Sequence, residues 1–124
     1  MEYMEKSILV IDDEKAIRES ISDFLEDSGY MTSSAANGLE ALEMLKVIRP
    51  DAILADLNMP EMDGFELIDH VAGNYPETPI IVLSGVGIID QAIEAIRRGA
   101  WDFLPKPLTS LSVLEITLDR VLER

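Results

Sequence analysis

Asp56 is a carboxylate set where chemistry can be done. It closes the apolar run Asp51-Ala-Ile-Leu-Ala-Asp56 and opens the polar loop Leu57-Asn-Met-Pro-Glu-Met-Asp-Gly64. Other apolar runs end in reactive side chains too: Ser7 to Ile11 in the pair Asp12-Asp13, Pro79 to Leu83 in Ser84-Gly85, and a shorter run in Lys106-Pro107. As neighbouring parallel strands, these runs would bring three acids, a hydroxyl and an ammonium to one edge of a sheet, the edge at which open α/β sheets bind ligands. Two carboxylates ~4 Å apart repel by about 4 kcal/mol at an effective dielectric of about 20, so such a cluster either takes up protons or holds a cation. Its donors are all oxygen, with no sulfur and no well-placed histidine; that favours the hard ion Mg²⁺ and admits Mn²⁺ or Ca²⁺. A cation there would draw in a phosphoryl group, and an aspartate carboxylate can attack phosphorus in a transfer that needs mainly alignment and charge neutralisation. Asp56 suits the nucleophile, while Lys106 and Ser84 suit the phosphoryl oxygens that a cation leaves free.

The elements that must position these groups alternate along the chain. Glu14 to Ser28 gathers Ala16, Ile17, Ile21, Phe24 and Leu25 on one helical face, and Gly29 stands where a helix-ending glycine would. Tyr30 to Ala35 reads as a short strand. Asn37-Gly-Leu-Glu40 reads as an N-cap with its reciprocal glutamate, opening a helix through Leu42, Leu45 and Ile48 to Pro50. A third helix spans Gly64 to Tyr75, and a fourth, about Ile89 to Arg98, follows the pliant Gly85-Val-Gly87 loop. A strand from Trp101 to Leu104 precedes a fifth helix after Thr109-Ser110, with Ser112-x-x-Glu115 as a competing capping box, running through Leu114, Leu118 and Leu122 to Arg124. Five strands and five helices in strict alternation predict an α/β fold in which helices cover both faces of a parallel sheet. The order 2-1-3-4-5 is expected, because it joins the ends of strands 1 and 3 at the topological switch point and so lets Asp12, Asp13 and Asp56 meet.

With 124 residues and 48% hydrophobic content, the chain is expected to form one domain with its own core. It has no cysteine, no apolar run of membrane-spanning length and no signal-peptide layout at its start, so a soluble protein of the reducing cytoplasm is expected. Ten basic against 24 acidic side chains, net −14, argue against direct nucleic-acid binding. His70 reads as an exposed mid-helix residue, and Met59 and Met62 as packing.

The set Ile11-Asp12-Asp13-Glu14, Asp56-Leu-Asn-Met-Pro60 with Asp63-Gly64, Leu83-Ser84-Gly85, and Gly99-Ala-Trp-Asp-Phe-Leu-Pro-Lys106-Pro107 resembles the receiver domain of two-component response regulators, the CheY-like family with its flavodoxin-like (βα)5 fold. The resemblance implies that Asp56 accepts a phosphoryl group from the phosphohistidine of a histidine kinase or phosphotransfer protein. It further implies that Asp13, Asp56 and the main-chain carbonyl of Asn58 ligate Mg²⁺, that Asp12 holds metal-bound water, and that Ser84 and Lys106 bind the phosphoryl group. In that family the hydroxyl residue moves toward the phosphoryl group and an aromatic, here Phe103, turns inward, remodelling the face of helix 4, strand 5 and helix 5 for an output domain, a downstream partner or a phosphorylation-dependent homodimer. Ser84 stands where threonine is also common, Phe103 replaces a frequent tyrosine, and Trp101 occupies a position where salt-bridged dimers often carry an acid. The open end of the fifth helix leans toward a longer regulator of which residues 1–124 are the N-terminal domain.

Three other readings compete. A haloacid-dehalogenase-type phosphatase also forms an aspartyl phosphate, but generally carries an acid two residues after the nucleophile, where this chain has Asn58. A flavodoxin-like cofactor carrier would need a phosphate loop after strand 1, and Asp12-Asp13-Glu14 would repel a phosphate. A receiver-like docking module that is never phosphorylated usually lacks one of the pocket acids, and all are present here.

Overall fold

The computed structural model describes residues 5–59, 62–85, 89–106 and 111–122. Ten elements alternate along them: β1 Ser7–Ile11, α1 Lys15–Asp27, β2 Met31–Ala35, α2 Gly38–Leu45, β3 Ala52–Asp56, α3 Gly64–Asn74, β4 Ile80–Ser84, α4 Ile89–Arg98, β5 Asp102–Pro105 and α5 Leu111–Leu122. The strands form one parallel sheet in the order β2-β1-β3-β4-β5, as expected from the need to join strands 1 and 3. This is the flavodoxin-like α/β fold.

Strand periodicity sorts the core into two layers, because successive side chains point to opposite faces. Leu9, Ile11, Ile53, Ala55 and Val82 pack beneath α2, α3 and α4, against Leu45, Leu67, Ile68 and Ala95. Ile8, Val10, Leu54, Ile81 and Leu83 pack beneath α1 and α5, against Ile21, Leu25, Leu114 and Leu118. Every residue of β3 and β4 is buried, as a sheet covered on both faces requires. At the β2 edge only Ala35 is buried. Met59 and Met62 are core residues, and His70 is exposed on α3.

Several boundaries differ from the sequence reading, most of them by a single residue. The second helix stops at Leu45 rather than reaching Pro50. Its last turn closes through Lys46 N to Glu43 O (3.2 Å) and Val47 N to Met44 O (2.9 Å). The Arg49 guanidinium then donates to the carbonyls of Leu45 and Ile48, and Tyr75 Oη donates to Leu45 O at 3.2 Å, so the released carbonyl has partners outside the helix. At the other end, Glu40 N donates to Asn37 Oδ1 at 2.8 Å, while Glu40 Oε1 accepts from Ala36 N instead of from the N-cap amide. The fifth strand is shifted one residue, to Asp102–Pro105. Ser112 lies inside α5, which begins at Leu111, so the competing capping box does not start the helix; Pro60, Val86, Gly87, Pro107, Thr109, Ser110 and Arg124 lie outside the described residues.

Candidate phosphoacceptor and metal site

All the polar tips singled out in the sequence except the Asn58 carbonyl are placed by the carboxyl ends of strands. Asp12 and Asp13 follow β1, Asp56 ends β3, Ser84 ends β4 and Lys106 follows β5. One carboxylate oxygen from each of Asp12, Asp13 and Asp56 lies within 4.8 Å of the others. Asp12 and Asp56 are buried, at 1% and 4% exposure, whereas Asp13 faces solvent. Lys106 Nζ reaches into the same cluster, 3.3 Å from Asp56 Oδ2 and 3.4 Å from Asp12 Oδ2.

Local backbone chemistry holds the acids in place. Glu14 N donates to Asp12 Oδ1 at 2.9 Å, and Arg18 donates to the Asp12 carbonyl at 2.7 Å, so the N-cap and first turn of α1 fix the acid that ends the preceding strand's run. Asn58 N donates to Asp56 Oδ1 at 3.1 Å. The loop after β3 is drawn back by a hydrogen bond from Gly64 N to Leu57 O at 2.8 Å. Glycine is required there by space: a Cβ on residue 64 would stand 2.6 Å from Leu57 Cα. Asp63 caps α3, its side chain accepting from Glu66 N at 3.0 Å. The Asp63-Gly64 pair therefore serves the geometry of the loop that follows Asp56.

Ser84 is fully buried. Its hydroxyl donates to Gln91 Oε1 at 2.8 Å and lies 3.5 Å from Asn58 Nδ2, while its carbonyl accepts from Lys106 N. Phe103 is partly buried against the layer beneath α2, α3 and α4, and Trp101 is 40% exposed. Among the described residues no buried side-chain polar atom lacks a partner.

Electrostatics bias the cluster. Burial pushes the Asp56 carboxyl above the ordinary carboxylate range; the Asn58 amide and the Lys106 ammonium oppose that shift, and the Asp12 charge adds to it. For Lys106, burial favours the neutral amine, but the charges of Asp12 and Asp56 outweigh it and raise its pKa above the usual lysine value. A buried acid that even an adjacent ammonium does not fully compensate can be relieved by further positive charge. Three convergent carboxylates, two of them buried, fit a hard divalent cation with oxygen ligands.

Gln91 and Arg18 escaped the reading of the sequence. Gln91 falls one turn before the buried Ala95 on α4, so a polar residue on an inward stripe was the available signal. Arg18, one turn into α1 beneath the acidic pair, offered none beyond its charge.

A family model described as the response regulator receiver domain matches residues 8–117. Response regulator MprA of Mycobacterium tuberculosis is 39% identical over 104 residues, covering 84% of this chain and 45% of the relative. Nitrogen assimilation regulatory protein NtrX of Azorhizobium caulinodans is 38% identical over 122 residues, 97% of this chain and 27% of the relative. Among solved structures, the receiver domain of NtrX from Brucella abortus superposes with a TM-score of 0.89 at 36% identity, covering 94% of this chain and 98% of that one. The chemotaxis response regulator CheY4 of Vibrio cholerae gives 0.87 at 36% identity, covering 96% and 100%. The chain belongs to the response regulator receiver family of two-component systems. It spans less than half the length of the two curated relatives, and no described helix is long and apolar enough to cross a membrane.

Proposed function

We propose that this domain is a Mg²⁺-dependent phosphorylation switch in which Asp56 takes a phosphoryl group from the phosphohistidine of a histidine kinase or phosphotransfer protein. The observation that carries the reading is the meeting of the Asp12, Asp13 and Asp56 carboxylates within 4.8 Å, with Lys106 Nζ 3.3 Å from the acceptor carboxylate. An Asp56 carboxylate oxygen forms the new O–P bond as the P–N bond of the donor breaks, the imidazole nitrogen keeping the bonding pair. Asp13, Asp56 and the Asn58 carbonyl would hold the cation, with Asp12 holding water on it; bound there, Mg²⁺ neutralises one phosphoryl oxygen. Lys106 pairs with a second oxygen, and the Ser84 hydroxyl donates to the third. The Asn58 amide keeps Asp56 aimed before the donor arrives.

In the same reading, the motion of Ser84 and Phe103 alters the face formed by α4, β5 and α5, and that face governs an output domain, a partner or a phosphorylation-dependent dimer. The domain works in the cytoplasm, where a kinase's phosphoryl group is available, as the N-terminal regulatory part of a longer protein; the short share of MprA and NtrX that it spans supports this. Its chemistry is its own modification rather than turnover of a substrate.

The test is incubation with acetyl phosphate and Mg²⁺, followed by intact-mass measurement. A gain of one phosphoryl group, lability to hydroxylamine, and loss of the gain in Asp56→Asn or with EDTA are expected. Steady phosphate release from small phosphomonoesters would favour the phosphatase chemistry instead, and absence of any labelling would leave a docking module.

A further inference from the structure

The Ser84 hydroxyl already has an acceptor. Its hydrogen goes to Gln91 Oε1 at 2.8 Å, in a fully buried position, and Asn58 Nδ2 approaches the same oxygen at 3.5 Å from the donor side. A serine hydroxyl carries one hydrogen. Given to Gln91, it cannot also be given to a phosphoryl oxygen. Gln91 sits near the amino end of α4, the helix that also carries the exposed Ile93 and Ile96, so the competition lies between the reacting centre and the element that displays an apolar surface.

We infer that Gln91 is a positioning residue, a latch that holds Ser84 and the amino end of α4 in the unphosphorylated arrangement and is released when the hydroxyl turns to the phosphoryl group. This rests on the proposed phosphoryl chemistry of Asp56. Coupling between two sites is reciprocal: what phosphorylation takes from the Ser84–Gln91 bond, loss of that bond returns to phosphoryl binding. A glutamine at residue 91 thus makes the domain harder to switch on and α4 quieter when it is off.

The probe is beryllium fluoride with Mg²⁺, a phosphoryl mimic, titrated into the intact chain by calorimetry. Gln91→Met keeps the length and helix preference of the side chain but has no amide acceptor, and should lower the half-saturating concentration by about fivefold, the factor that one net side-chain hydrogen bond supplies. Gln91→Glu, which keeps an acceptor oxygen, should show no such gain. In a Ser84→Ala background, Gln91→Met should have no further effect, because the bond is already absent. Hydrogen exchange of the α4 amides without the probe should run faster in Gln91→Met than in the wild type, and equally in the two Ser84→Ala chains.

Failure of the latch and failure of the phosphoryl reading look different. A wild type that titrates while Gln91→Met matches it, or a Gln91→Met gain that persists in Ser84→Ala, overturns the latch and leaves the phosphoryl chemistry standing. A wild type that does not respond to the probe overturns the phosphoryl reading and with it the switching role. The exchange measurement then decides the bond alone: unchanged α4 exchange in Gln91→Met overturns it as well.

Discussion

Lys106 Nζ stands 3.3 Å from Asp56 Oδ2, yet the carboxyl it faces remains harder to ionise than an ordinary aspartate, because burial and the neighbouring Asp12 charge work against it. The ammonium therefore offsets a cost without removing it. Removing the acid and removing the base should move stability in opposite directions.

Asp56→Asn should stabilise the metal-free protein at neutral pH. The folded pKa of Asp56 lies above its unfolded value, so its contribution to stability is fully present below the unfolded pKa, about 3.9, and is lost as pH rises through the folded value. At pH 7 in EDTA the wild type carries that penalty and the amide does not. The gain, read as a higher unfolding midpoint at pH 7, should shrink as the pH is lowered toward 4. Thermal melts of both proteins across that range check it; a gain independent of pH would mean that packing, not charge, is responsible.

Lys106→Met should do the reverse. It leaves the buried carboxylates of Asp12 and Asp56 facing each other without their shared cation, at a cost of about 1–3 kcal/mol at pH 7. The raised pKa of Lys106 means that its stabilising share is intact below the unfolded lysine value of about 10.4 and disappears as pH climbs through the folded one. Labelling of Asp56 by acetyl phosphate should fall on the order of 100-fold, as expected when a phosphoryl oxygen loses its charged partner. Denaturant melts and mass-based labelling rates measure the two effects separately.

Mg²⁺ should raise the melting temperature of the wild type, since a ligand bound by the folded chain alone stabilises it by about 2.7 kcal/mol at 100 times its dissociation constant. Asp13→Asn should abolish that rise while leaving the metal-free midpoint near its starting value, because Asp13 is exposed. EDTA should return the wild type to the same baseline. Equal Mg²⁺ shifts in both proteins would remove Asp13 from the ligand set.

Gly64→Ala tests the backbone under the site. The new methyl would lie 2.6 Å from Leu57 Cα and 2.8 Å from Leu57 Cδ1, so the β3–α3 loop must shift, at about 1–3 kcal/mol. The labelling rate should drop together with stability, since the residues displaced directly follow Asp56. A variant with normal labelling and normal stability would show that the loop has slack.

Much of this was legible in the chain because the signals were redundant. Strands β3 and β4 are continuous apolar runs, as burial on both faces demands, and each reactive tip sits at the end of its run, so order and site came together. The end of α2 was not legible. Leu42, Leu45 and Ile48 keep a helical spacing past the point where the helix stops, and the stop depends on Arg49 and Tyr75 reaching the Leu45 carbonyl, Tyr75 from another element. Such tertiary capture of a carbonyl leaves no local mark. The glutamate of the α2 cap was read correctly as a cap partner, but the amide it accepts from is one residue earlier, a distinction below the resolution of a sequence pattern. Gln91 was missed because its partner lies in another element, seven residues back.

One more property follows from the way α4 is fastened. Its carboxyl end is clasped to α3, where Arg98 meets Asp69 at 3.3 Å and lies over the Phe65 ring at 4.9 Å, while its amino end meets Ser84 through Gln91. A rod clamped at one tip and unhooked at the other pivots instead of sliding. Displacement would then be greatest at the Gln91 end and die away toward Arg98, and weakening the Arg98 clamp would blur the stroke without touching the trigger.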